Sequence, residues 1–113
     1  MGVPKGPMNV TELFERRNQV RDDLAVTRRH ILSVMRKPEP EVAAVPIGDV
    51  LCWCEGLDEA VVSRVLAAVG VPWGKRISLM SELDQKRILF EIKRWRPEVW
   101  AGWRTRITVR NAA

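Results

Sequence analysis

Residues 47–54, IGDVLCWC, and residues 58–69, DEAVVSRVLAAV, are two amphipathic helical patterns that meet at a tight turn containing Gly56. Their apolar residues recur every three or four positions, which is the spacing of one helix face. After Gly70, a short connector with the sequence VPWGKRISLMS leads into a third helical pattern. Two helices joined by a tight turn and followed by a basic connector can present backbone amides and cations to phosphate groups. We therefore predict an all-α fold built around this stretch.

Capping residues predict where the helices of this stretch begin and end. Pro46 suits the first turn of the first helix, because an N–H at that position needs no partner within the helix. Asp58 is a favourable N-cap for the second helix, and Gly70 suits the position just after its C-terminus. Ser81 caps a third helix that runs from residue 82 to about residue 95. Residues 46–95 are therefore predicted to form one helical module. Its predicted inward-facing residues are Ile47, Val50, Leu51, Cys54, Val61, Val62, Val65, Leu66, Val69, Leu83, Ile88, Leu89 and Ile92.

The chain before the module is predicted to hold a disordered leader, a long helix and a linker. Residues 1–8 contain two prolines and two glycines, which is typical of a segment without regular structure. Asn9 suits the N-cap of a helix over residues 9–37, which has a narrow apolar seam and many arginines on its other faces. Two prolines then begin a linker over residues 38–45, since a proline disfavours the helical conformation of the residue before it.

The last segment, residues 96–113, changes its pattern. Thr105, Ile107 and Val109 alternate with polar or charged residues, which is the two-residue repeat of an extended strand. No other part of the sequence shows a strand pattern with which it could pair. We therefore predict an extended, Trp/Arg-rich tail that is disordered, packs as an arm or pairs with a second copy. Its tryptophans and arginines suit a nucleic-acid-binding arm, an anchor to the core or a protein-binding surface.

The composition favours a polyanionic partner and argues against several function classes. The net charge is +5 and the isoelectric point is about 9.9. No apolar run is long enough to span a bilayer and no signal-peptide pattern begins the chain, so we expect a cytoplasmic protein without membrane contact. Cys52 and Cys54 point about 200° apart on a helix, and His30 lies elsewhere, so no disulfide or zinc site is expected. We expect no cofactor and no enzyme activity, because the sequence has no spaced carboxylate pair and no glycine-rich phosphate loop.

The candidate nucleic-acid contacts lie in the connector, in the long basic helix and in the last helix of the module. Lys75 and Arg76 are adjacent cations in a predicted surface loop, and Trp73 beside them either stacks on a base or packs on the helix below. The arginines of the long helix either contact phosphate or form a solvated face that nearby carboxylates partly neutralise. The predicted DNA-binding residues are Lys75, Arg76, Arg28, Arg29, Gly74, Trp73, Arg21, Lys86 and Arg87.

Residues 46–92 resemble the helix-two-turn-helix module of actinobacterial integration host factors in four matching segments. These segments are residues 50–51, 55–58, 62–66 and 72–76. The resemblance implies weakly specific or non-specific binding of duplex DNA, with bending or compaction, in a nucleoid or in site-specific recombination. Lys75 and Arg76 match the basic pair of that family, and the long basic helix before the module also has a counterpart there.

Two departures from the family pattern concern the DNA contacts. Ser78 stands where the family has another arginine. Asp58 stands where the hairpin of the family has a second glycine, and Glu55 and Glu59 flank it. Three carboxylates would repel a phosphate group within a few ångströms of the hairpin amides. We therefore expect the connector and the basic helix, rather than the hairpin, to contact DNA.

Two functions from different classes remain open. The first is a monomeric, architectural DNA-binding protein, of bacterial or phage origin, that works with a recombinase or a host protein. Binding of RNA stays open within this class, because phosphate contacts do not distinguish the two polymers. The second is a protein-interaction module that keeps the fold and binds a protein through the Trp-rich tail and the acidic hairpin.

Overall fold

The computed structural model describes residues 9–26 and 29–111, and its regular elements are all helical, as the sequence predicts. The leader predicted over residues 1–8 lies outside the described residues. The elements are α1 (Val10–Ala25), α2 (Ile31–Arg36), α3 (Ile47–Cys52), α4 (Glu59–Val69), a 3₁₀ turn (Ile77–Leu79), α5 (Glu82–Trp95) and α6 (Pro97–Asn111).

The caps of α4 and α5 are the residues that the sequence predicts. The Val61 N–H donates to Asp58 Oδ1 at 2.9 Å, and the Asp84 N–H donates to Ser81 Oγ at 3.1 Å. Gly70 ends α4 with a φ of 80°, a left-handed conformation that glycine adopts without steric cost. The starts of both helices and the end of α4 are therefore set by residues within three or four positions of each other.

The core lies between α3, α4 and α5, and the N-terminal helices pack against it. Each fully buried aliphatic side chain contributes about 1.5–3 kcal/mol to folding. The largest fully buried side chains of the core are Ile31, Met35, Ile47, Leu51, Ile77, Ile88 and Ile92. Leu83 was predicted to face inward and is instead 56% exposed. At about 100° per residue it lies roughly 140° around α5 from Ile88, which places it outside the buried face.

The prediction of a single helix over residues 9–37 is wrong, because the helical conformation is interrupted between α1 and α2. His30 begins α2 as its N-cap, and its Nδ1 accepts the Leu32 N–H at 3.0 Å. The carbonyl of Leu24, near the end of α1, accepts the N–H of Glu55 from the hairpin at 3.2 Å. A cap and a long-range hydrogen bond thus replace the continuous helical ladder. The apolar seam is still buried on both sides of the break, through Val20, Leu24, Ile31 and Met35.

The prediction of an extended tail over residues 96–113 is also wrong, because residues 97–111 form α6. Pro97 occupies the first position of the helix, where its fixed φ and missing N–H are tolerated. A helix satisfies its own backbone hydrogen bonds, whereas a strand at this end would need a partner, and the described residues contain no strand. Trp103 of α6 is only 4% exposed, so burial of its indole ring holds the helix against the module.

Candidate nucleic-acid interface

The connector between α4 and α5 is fixed to the segment that precedes and begins α3. The two segments run antiparallel, with Pro46 opposite Arg76. Because the backbone is hydrogen-bonded on both sides of this pair, the connector has a defined conformation rather than that of a free loop. The four hydrogen bonds run from Ile47 N to Lys75 O (2.7 Å), from Gly48 N to Trp73 O (3.1 Å), from Ile77 N to Val45 O (3.0 Å) and from Ser78 N to Ala43 O (3.1 Å).

Several backbone amides of the connector have no acceptor within residues 9–26 and 29–111. The N–H groups of Trp73, Gly74 and Arg76 donate to no protein atom there, and Gly74 and Arg76 are the exposed residues among them. A Cβ atom placed on Gly74 would meet no other atom within 4 Å, and the φ angle of Gly74 lies outside the left-handed region. The fold therefore does not require glycine here. What glycine leaves is open space where a side chain would stand, so an anion that approaches this part of the connector meets no Cβ atom at residue 74.

The two cations of the connector differ in how far they are engaged. Lys75 is half-buried, and its Nζ lies 3.5 Å from Asp84 Oδ2 at the start of α5. Arg76 is exposed, and it forms no ion pair with any residue that the structure describes. Arg76 is therefore the connector cation that is most available to an external phosphate.

Trp73 packs against the protein, which is one of the two alternatives that the sequence leaves open for this residue. Its indole ring lies over Gly48, so closely that an added Cβ there would come within 2.1 Å of the ring. Its Nε1–H donates to Asp49 Oδ1 at 3.0 Å. The missing side chain of Gly48 thus leaves room for the indole ring of Trp73, and the packing of that ring holds the connector against α3.

The two predicted contacts on α5 are exposed. Lys86 lies 3.5 Å from Glu82 one turn earlier, an exposed pair that contributes little to stability. Arg87 has no ion-pair partner among the described residues. Both follow closely after Asp84, to which Lys75 of the connector is paired, so they extend from the same end of α5.

Arg29 of the predicted basic helix is more strongly neutralised than the cations of the connector. Arg29 binds two carboxylates, with Asp23 Oδ2 at 3.4 Å and Glu39 Oε1 at 3.0 Å. A hydrogen bond from Glu41 lowers the pKa of Glu39, which favours the charged carboxylate that pairs with Arg29, and burial raises the pKa of Glu41. Arg21 lies 3.9 Å from Asp22. Arg28 lies outside the described residues.

Helix α6 packs against the hairpin between α3 and α4, which the sequence did not predict, and leaves Gly56 and Asp58 exposed. The Nε1–H of Trp103 donates to the carbonyl of Glu55 at 2.7 Å, and Arg106 forms an ion pair with the Glu55 carboxylate. Val99 packs against Gly56, whose φ is 86°. The available signal was charge complementarity, since the arginines of the tail match the carboxylates of the hairpin.

Aromatic contacts join the same helix to the break between α1 and α2. The His30 ring meets Trp100 edge-on at 5.2 Å between centroids, and Trp103 at 6.0 Å. Burial lowers the pKa of His30, which favours the neutral ring that its N-cap role requires. His30 is therefore a structural residue in this fold.

The described residues contain no group of three or more side chains suited to hold a metal ion. Cys52 and Cys54 are free thiols, and burial raises the pKa of both. Protonated thiols are poor nucleophiles and poor metal ligands. In the described part of the chain, no helix has the length and apolar character needed to cross a membrane.

Comparison with solved structures identifies a relative in fold. A structure of sIHF bound to an 8-base-pair palindromic DNA superposes with a TM-score of 0.66 at 11% sequence identity, and the match covers 72% of this chain and 93% of that chain. The chain is similar to sIHF in fold. This likeness supports, at the level of fold, the resemblance to integration host factors. No protein-family model and no curated protein sequence matches the chain.

Proposed function

We propose that this protein binds double-stranded DNA through phosphate contacts, with weak or no sequence preference, in an architectural role. The observation that carries the proposal is the connector. It is held by backbone hydrogen bonds, and it presents the exposed Arg76 beside two amides that donate to no protein atom in the described residues.

These groups suit a phosphate for separate reasons. The Gly74 and Arg76 amides are fixed donors, so binding an anion costs little further ordering of the backbone. A guanidinium can donate two hydrogen bonds to one phosphate, which makes Arg76 the stronger of the two cations. Lys75 already faces Asp84, so it contributes its charge mainly where DNA displaces that carboxylate.

The relative in fold supports DNA as the polyanion. The sIHF structure contains a DNA duplex, and the fold likeness extends over most of both chains. The net charge of +5 favours the same class of partner and steers it toward the protein at low salt.

The setting that we propose is the nucleoid or a site-specific recombination complex, in the cytoplasm of a bacterium or of a phage-infected cell. A monomer would act there without enzyme activity, together with a recombinase or a host protein. Bending or compaction would follow from phosphate contacts at more than one position along the duplex.

The alternative function, protein binding through the tail and the hairpin, is less well supported by the arrangement. Trp103 is buried, and the Glu55 carboxylate is paired with Arg106 of the same tail. The two features on which that alternative depended satisfy each other within the chain. A partner would have to displace α6 before it could use Trp103 or the Glu55 carboxylate.

The experiment that tests DNA binding is fluorescence anisotropy on a labelled duplex of about 20 base pairs at several salt concentrations. Wild type is compared with Lys75→Gln/Arg76→Gln. We expect micromolar or tighter binding by wild type at low salt, and a slope of log affinity against log salt that is smaller in the variant by about 1.8, or about 0.9 per lost contact.

A matched control removes the same charge elsewhere. Lys93 and Arg104 are exposed, and no described residue pairs with either of them. Lys93→Gln/Arg104→Gln should therefore keep the wild-type slope. An equal loss in both double variants would mean that net charge, rather than the connector, drives binding. No binding by folded wild type at low salt would contradict the proposal altogether.

A further inference from the structure

The outer face of α5 exposes apolar side chains that a folded protein normally buries. Phe90 is 64% exposed and Leu83 is 56% exposed. Together with Arg87 and Arg94 they follow a spacing of four, three and four residues, which aligns them along one side of the helix. The result is a line of alternating apolar and cationic side chains. Leu79, in the 3₁₀ turn that precedes α5, is also exposed.

A groove lies beside this line, between α4 and α5. Its volume is about 450 Å³, which is enough for one or two large side chains. Ala68 and Val69 of α4 form one wall, and Phe90 belongs to the other. Small residues on α4 opposite a large aromatic ring on α5 leave the groove concave and apolar.

The rim of the groove is cationic. Lys86 and Arg87, which the sequence predicts as DNA contacts, both line it, and Glu91 is its one carboxylate among the described lining residues. Glu91 is already engaged, because the Trp95 Nε1–H donates to it at 2.9 Å and Arg94 lies 3.9 Å away. The exposed pairing of Lys86 with Glu82 is weak. A ligand therefore meets an apolar floor beside a net positive edge.

A DNA duplex does not match this surface as well as a protein segment does. Phosphates can pair with the rim, but the backbone of a duplex has no large apolar group to fill a concave groove. A protein segment with a bulky apolar residue and flanking carboxylates can satisfy both features at once. Apolar anchors in such grooves are the usual source of binding energy in helix-in-groove recognition.

We propose that the groove between α4 and α5 is a docking site for an acidic amphipathic helix of a partner protein. The partner inserts an apolar side chain between Val69 and Phe90, and its carboxylates pair with Arg87 and Lys86. The proposal does not depend on DNA binding by the connector, and its test contains no nucleic acid.

The probe is a short, fluorescein-labelled helical peptide with leucines on one face and glutamates on the others. A second peptide replaces every glutamate with lysine. Both are titrated into the full chain and followed by anisotropy. ¹⁵N-labelled protein is titrated in parallel with the unlabelled acidic peptide to locate the contact. We expect the acidic peptide to bind and to shift the amide signals of Ala68, Val69 and Phe90.

Two groove variants and one matched control test the contacts. Phe90→Ser and Arg87→Glu change exposed side chains. Each should lower the affinity of the protein for the acidic peptide roughly tenfold. The control is Phe14→Ser, which removes the other exposed phenylalanine. Phe14 lies on α1 with the Arg17 guanidinium 5.6 Å from its ring centre. The Phe14→Ser variant should bind the acidic peptide with the affinity of wild type. Circular dichroism establishes that the three variants are folded.

Each remaining outcome overturns the proposal. Wild-type affinity in Phe90→Ser would mean that the groove does not hold the apolar anchor. Equal binding of the acidic and basic peptides would remove the role of the rim. Signal shifts located on α1 or α6 rather than at Ala68 and Val69 would place the peptide on another surface. An absence of binding by folded wild type would also contradict it.

Discussion

The hairpin at residues 55–58 and the connector at residues 71–76 are both turns of the same helical module, yet their chemistry is opposite. The hairpin carries carboxylates, and α6 covers it through Trp103 and Val99. The connector carries the cations Lys75 and Arg76, and the amides of the exposed residues Gly74 and Arg76 donate to no protein atom in the described residues. Even their glycines differ in role. Gly56 is required by its positive φ, whereas Gly74 only leaves space. The comparison shows that two turns of one helical module can differ in charge and in what packs against them, and this difference is the reason why our proposal assigns DNA contact to the connector.

The largest expected effect is the loss of stability in Trp103→Ala, which weakens the packing of α6 against the hairpin. The variant loses a buried indole ring and its hydrogen bond to the carbonyl of Glu55. We expect the free energy of unfolding to fall by about 3–5 kcal/mol, as measured by urea denaturation. Hydrogen exchange should then be faster at the hairpin than at the connector.

Trp95→Ala is the matched control for this substitution. Trp95 is 46% exposed at the end of α5, so its removal should cost about 1 kcal/mol or less. Equal destabilisation by the two substitutions would contradict the account in which α6 is held mainly by Trp103.

The next effect separates the two glycines. Gly56→Ala should destabilise the protein by about 1–3 kcal/mol, because alanine is strained at a φ of 86° and its Cβ would approach Val99 to 2.8 Å. Gly74→Ala should leave stability unchanged within about 0.5 kcal/mol. Thermal unfolding of the two variants tests this difference. Equal stability of both would show that Gly56 is not constrained as described.

A smaller effect is expected when one arginine is removed beside each turn, Arg76 in the connector and Arg106 of α6, which pairs with Glu55 of the hairpin. Arg76→Ala should weaken duplex binding roughly tenfold, or by about 1.4 kcal/mol, and lower the salt slope by about 0.9. Arg106→Ala, which removes the partner of Glu55, should not weaken binding. Anisotropy titrations at several salt concentrations measure both. A larger loss in the Arg106 variant would reverse the assignment of the two turns.

The smallest effect is a pH dependence of the free energy of unfolding, which arises at His30 beside the hairpin and not at the connector. Burial lowers the pKa of His30, so the unfolded chain takes up a proton at a higher pH than the folded protein does. The contribution of His30 to stability is therefore complete above its ordinary pKa of about 6.5 and is lost as the pH falls from there toward the folded pKa.

His30→Asn isolates this contribution, because asparagine can still cap α2 and does not titrate. Its difference in unfolding free energy from wild type should shrink as the pH is lowered from about 7.5 to about 5.5. A difference that stays constant over this range would show that His30 does not titrate differently in the folded and unfolded states.

Local signals were sufficient to predict part of the fold. The caps at Asp58 and Ser81 involve residues three positions apart, so a short window of sequence contains the whole interaction. The break at His30 and the helix of the tail depend on contacts between residues far apart in the chain, including the packing of His30 on Trp100. Such contacts leave no local pattern, and the alternation of Thr105, Ile107 and Val109 suggested a strand instead.

The candidate site was predictable by residue type but not by environment. The basic pair Lys75 and Arg76 stands out in the sequence, and the packing of Trp73 is one of the two alternatives that the sequence leaves open. The ion pairs that engage Lys75 with Asp84 and Arg29 with Glu39 join separate elements, so only the three-dimensional structure distinguishes these cations from Arg76. The acidified hairpin was visible in the sequence, whereas the helix that covers it was not.

The most direct test of the contrast between the two turns is an NMR titration of ¹⁵N-labelled protein with an unlabelled DNA duplex at low salt. Backbone amide signals report both turns in a single experiment. The account predicts that the signals of Gly74, Lys75 and Arg76 shift on addition of DNA, while those of Gly56 and Leu57 stay in place. Shifts confined to Gly56 and Leu57, with the connector unchanged, would contradict it.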